Sequence, residues 1–108
     1  MAVISSGGVD PEVIFLRNAV LRMLVTRACI FLSGFEDKEQ LEIAGIVGEL
    51  TLDSVDADQR PRLVSALLAG AEQRLREIWT GVTPEEEVRP GIEGKLDEVQ
   101  VFLRTHRT

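Results

Sequence analysis

The sequence predicts an all-α fold, an antiparallel four-helix bundle with a long, mostly buried first helix. Three observations point there. Apolar residues recur at helical spacing through most of the chain. Strand signals are weak, with no tyrosine and only 5% aromatic residues. The stretch 10–34 is apolar almost all round, and such a helix has to be covered by other helices, of its own chain or of a second copy. A composition of 44% apolar and 28% charged residues is that of ordinary globular proteins. At 108 residues the chain can hold one core without disulfides or metals. Residues 1–9 are expected as a disordered leader and 10–108 as a single helical-bundle domain.

The first helix is expected over residues 11–33. Asp10 suits the N-cap, Pro11 the first helical position, and Gly34 a left-handed end. At 100° per residue Asn18, Arg22 and Thr26 share one narrow stripe, and Leu16, Val20, Met23, Leu24, Ile30 and Phe31 occupy the opposite sector. Arg17, Arg22 and Arg27 argue against a membrane span, since an arginine near the bilayer centre costs at least about 2.5–3.5 kcal/mol.

A second helix is expected over Phe35–Leu52, with Leu41, Ala44, Val47, Ile43, Ile46 and Leu50 as a broad apolar side and Glu39, Glu42 and Glu49 on the wetter flanks. Gly45 and Gly48 cost about 1 kcal/mol each inside a helix relative to alanine. With Ala44 they form a small-residue patch that would let another helix approach closely. Residues 53–58 read as a connection, with Asp58 capping a third helix from Gln59 to Thr80, because Pro61 is tolerated only in a first turn. Its apolar face is Leu63, Val64, Leu67, Leu68, Ala71, Leu75, Ile78 and Trp79. Thr83 to Val88 reads as one short helical turn, interrupted by Pro90-Gly91. A last helix is expected from Gly91 to His106, with Ile92, Leu96, Val99, Phe102 and Leu103 as its seam.

The net charge of −6 is unevenly spread: residues 36–58 hold eight acids against Lys38 alone. No basic stripe is present, which excludes a nucleic-acid partner on electrostatic grounds. The single cysteine, Cys29, and the lack of a secretory signal at the start give a cytoplasmic expectation. The acids Asp53, Asp56 and Asp58 lack the glycine and glutamate spacing of a calcium loop, and Glu85-Glu86-Glu87 reads as charge complementing a helix start. Cys29 has no histidine near it in sequence, and His106 lies close to the last residue. No catalytic, cofactor or metal motif emerges, so the chain is read as a non-enzyme without cofactors.

The expected function is protein–protein binding by a small acidic regulator, inhibitor or immunity-type module. Its contact surface would be the acidic side of the second helix, Glu39, Glu42, Glu49, Asp53 and Asp56, facing another protein of basic character. The alternatives are a homodimeric module self-assembling through the first helix, or a small-ligand carrier with a pocket between helices. Arg27, set in the apolar sector of the first helix, must pair or reach solvent. It is expected either to salt-bridge a glutamate of the second or third helix or to hold an anion.

Overall fold

A computed structural model describes residues 1–7, 11–79 and 92–105 of the chain. It corrects the all-α expectation: the protein is an α+β fold in which, among the described residues, four helices pack beside a three-stranded mixed sheet. The elements in order are β1 (Ala2–Ser5), β2 (Val13–Leu16), α1 (Asn18–Ile30), α2 (Phe35–Val47), β3 (Glu49–Thr51), a single 3-10 turn (Leu52–Ser54), α3 (Arg60–Trp79) and α4 (Ile92–Thr105).

The bundle expectation fails at the start of the chain. Residues 13–16, expected as the first turn of a long helix, are extended instead and pair antiparallel with β1. Val-Ile-Phe-Leu is rich in β-branched and aromatic side chains, which fit a pleated surface. The partner is Ala2–Ser5, expected as part of a disordered leader and found as the central strand, in the order β2-β1-β3. The register sets Val3 opposite Phe15 and Ile4 opposite Ile14, and a Ser6 N–H to Glu12 carbonyl bond of 2.9 Å continues the ladder. On its other side β1 pairs in parallel with β3, Val3 opposite Glu49 and Ser5 opposite Thr51.

One face of the sheet is buried and the other open. Ala2, Ile4, Ile14, Leu16 and Leu50 point into the core, while Val13 and Phe15 remain 46% and 55% exposed. α1 starts only at Asn18, after Arg17 in extended conformation. It ends at Ile30, where the Phe31 N–H bonds the Ala28 carbonyl. Gly34 does not end α1 in a left-handed turn; it precedes α2 at φ −82°, and its carbonyl accepts the Lys38 N–H at 3.2 Å.

α2 is shorter than expected. Gly48 lies outside it, at φ +83°, a left-handed position where glycine ends a helix without steric penalty. Gly45 is the glycine that admits a neighbour: Val25 of α1 comes within 3.5 Å of where a Cβ would stand. A closer approach occurs at Gly70 of α3, where a Cβ would meet the Ala28 nitrogen and the Arg27 Cβ at 3.2 Å and the Leu24 carbonyl at 3.4 Å. Gly70 thus lets α1 and α3 cross almost backbone to backbone.

α3 follows the expected span closely and buries Leu63, Val64, Leu67, Ala71 and Leu75. α4 contributes Leu96, Val99 and Leu103. α3 packs on both α1 and α4, α2 packs on α1, and α4 reaches β2. The expected short turn at 83–88, the break at Pro90-Gly91, the Asp10 cap and His106 lie outside the described residues. Among the described residues no helix is long and apolar enough to cross a membrane.

Candidate interaction face

α2 is held by a narrow arc. Its buried residues are Asp37, Leu41, Ala44 and Gly45, and the small side chains among them let it lie close against α1. At 100° per residue the opposite arc, about 140° wide, carries Glu42, Phe35, Ile46, Glu39, Ile43, Glu36 and Val47 in that angular order. All seven are exposed. Phe35 and Ile46 are each 78% exposed, Val47 67% and Ile43 50%. This corrects the expected arrangement, in which Ile43, Ile46 and Val47 belonged to the covered side and the glutamates flanked it. Apolar and acidic residues instead share the surface of α2.

The five acids singled out from the sequence are all exposed, but they do not form one patch. Glu39 and Glu42 lie on the outer arc of α2. Glu49 lies on β3 and lines a groove of about 220 Å³ with Ile43, Ala44 and Val47 of α2 and with Leu50, Thr51 and Ser54. Asp53 and Asp56 sit beyond β3. The Asp53 carboxylate fills the space where a side chain at Gly7 (φ +74°) would go, and the Asp56 carbonyl accepts the N–H groups of Gln59 and Arg60 at 2.9 Å. Sequence reasoning missed Phe35, Ile43, Ile46 and Val47 as surface residues. Gly45 and Ala44 carried the signal, since small residues on one helix face mark the side that docks.

Two polar clusters elsewhere are tied up internally. Asp37, in the first turn of α2, accepts Arg62 Nε at 2.7 Å, Arg62 Nη2 at 3.1 Å and Gln59 Nε2 at 3.2 Å. The Arg62 hydrogen bonds hold its carboxyl below the ordinary carboxylate range, outweighing the upward push of burial. Arg62 Nη1 bonds the Asp58 carbonyl, so the guanidinium is used as a clamp between α2 and the start of α3. A cleft of about 410 Å³ beside it is lined by Phe31, Leu32, Ser33, Pro61 and Ser65.

Arg27, the buried-charge candidate, meets α3. Its Nη1 lies 2.6 Å from Glu77 Oε2 and bonds Gln73 Oε1 at 3.0 Å, and its side chain is 21% exposed. Arg74 Nη1 lies 3.9 Å from the same Glu77 oxygen. The Cys29 thiol is half-buried; burial pushes its pKa up, and the nearby Glu42 adds to this. A thiol held protonated is a weak nucleophile. Among the described residues no group of three or more His, Cys, Asp or Glu side chains is placed to hold a metal ion.

Comparison with protein-family models, with curated proteins and with solved structures finds no match to this chain.

Proposed function

We propose that the protein acts by binding another protein, through the outer arc of α2 and the adjoining edge of β3, and that its partner presents apolar and basic groups together. The observation that carries this reading is the exposure of Phe35, Ile43, Ile46 and Val47 on the same surface as Glu39, Glu42 and Glu49. Exposed apolar residues grouped as Ile43, Ile46 and Val47 are, within about one turn of each other, mark interaction sites. Apolar contacts supply affinity there, and the acids speed association and reject acidic competitors. No catalytic step is assigned to the chain. A cytoplasmic setting is proposed with it, supported by the single unpaired cysteine.

The test compares the protein with a variant carrying Glu39→Lys, Glu42→Lys and Glu49→Lys. The three positions are exposed, so the fold should melt unchanged while a partner captured by the original is lost. Equal capture by both proteins overturns the reading. Self-association is the competing reading, favoured by the exposure of Ile30 at 70% and Phe31 at 50%, a few residues before Phe35 in sequence. Sedimentation that shows a dimer dissociating on Phe35→Glu would select it.

A further inference from the structure

We propose that the groove between α2 and β3 takes a short extended segment of a partner chain, alternating apolar and basic residues, as a fourth strand on the outer edge of β3. This rests on the reading of the α2–β3 surface as a binding face and states how the contact is made.

Backbone phase comes first. The Val3 N–H donates to the Gly48 carbonyl at 2.9 Å. In a parallel ladder alternate residues turn their N–H and C=O to the same neighbour, so Gly48 and Leu50 address β1, and Glu49 and Thr51 direct theirs to the outer edge. The Ser54 hydroxyl donates to the Thr51 carbonyl at 2.7 Å. Among the described residues no backbone partner meets the Glu49 N–H and C=O or the Thr51 N–H, and these are the set an added strand would use. A bare edge of this kind is a template for another chain.

Side-chain chemistry comes next. In an added strand every second residue would point into the groove of about 220 Å³ floored by Ala44 and Leu50 and walled by Ile43 and Val47, which suits a branched apolar side chain. The remaining residues would stand near Glu49 and the open sheet face, where lysine or arginine is favoured. Charge also decides between occupants. A second copy of this chain would bring the same acids of residues 36–58 face to face, and like charges across an interface cost affinity.

The probe is a fluorescein-labelled seven-residue peptide alternating lysine and valine. It is compared with two versions N-methylated at alternate backbone nitrogens, one in each phase, and with a glutamate-for-lysine version. Strand addition requires the parent peptide to bind and one methylated phase to lose at least about tenfold in affinity while the other does not. The Glu49 and Thr51 amides should become protected from hydrogen exchange in the complex. If both methylated phases bind as the parent does, and Glu39→Lys, Glu42→Lys and Glu49→Lys together abolish binding, the strand is wrong and the face stands. If that triple variant binds as tightly as the original, the face itself is wrong. No binding of the parent peptide at millimolar concentration overturns the proposal. So does concentration-dependent protection of Glu49 and Thr51 without peptide, which would make a second copy the occupant.

Discussion

Replacing each of two buried glycines by alanine should move stability in opposite directions. Both Gly45 and Gly70 lie inside helices, where alanine is better than glycine by about 1 kcal/mol. At Gly45 the atoms nearest the added Cβ are those of the Val25 side chain, at 3.5–3.6 Å, which is ordinary contact. Gly45→Ala should therefore keep the whole gain and raise the melting temperature by about 4–8 °C. At Gly70 the same atom meets the Ala28 nitrogen and Arg27 Cβ at 3.2 Å and the Leu24 carbonyl at 3.4 Å. Two of these three atoms belong to the helix backbone and cannot rotate away, so α1 and α3 must separate by a few tenths of an ångström. Overpacking of this kind costs about 1–3 kcal/mol. Gly70→Ala should thus lose about 1 kcal/mol net and also disturb the Arg27–Glu77 contact about two turns further along α3. Urea and thermal unfolding of the two variants give the answer directly. A Gly70→Ala protein that melts above the original would refute the backbone-to-backbone crossing, and a Gly45→Ala protein that melts below it would refute the looser fit of α2.

Ile4→Ala should cost about 2–5 kcal/mol, because Ile4 is fully buried in the central strand; an unchanged urea midpoint would restore the disordered leader. Glu77→Ala takes the carboxylate from Arg27, and a pair 21% and 31% exposed lies between surface and buried cases. A loss of about 1–2 kcal/mol is expected in chemical denaturation. Asp37 has its pKa lowered from 3.8 by its Arg62 bonds. Its contribution is therefore complete above that value and disappears as pH falls through the lower folded-state value. Asp37→Asn should flatten the acid limb of a plot of stability against pH, and parallel acid limbs for the two proteins would contradict the clamp.

The helical half of the fold was legible because its signals are local. α3 and α4 carry apolar residues on one face and charges on the other, and Pro61 fixes where α3 can begin. The sheet was not, for a physical reason visible at β2. Alternation marks a strand only when its outward residues are polar, and here the outward residues that alternate with the buried Ile14 and Leu16 are the apolar Val13 and Phe15. The run therefore merged with the apolar sequence of α1. β1 is four residues long, and β3 three; each is defined by pairing with a distant segment that no local pattern reveals. The candidate face was half legible. The density of acids between 36 and 58 marked the region, but which apolar residues of α2 face outward depended on α1 approaching through Gly45. Arg27 announced its need for a partner, and only the crossing at Gly70 shows why Gln73 and Glu77 are in reach.

The central strand has consequences for how the chain folds. Val3 finds Phe15 twelve positions on, but Glu49 lies forty-six positions away, and contacts between remote segments form slowly because a long loop must close first. The β1–β2 hairpin can thus assemble early, while β3 arrives only after α1 and α2 have condensed. During that interval β1 displays its own bare hydrogen-bonding side to the surroundings. A strand-like segment present at that moment would compete with β3 for its seat, so a lysine–valine peptide added during refolding should slow recovery of the native state, whereas the same peptide added to folded protein should leave the fold intact.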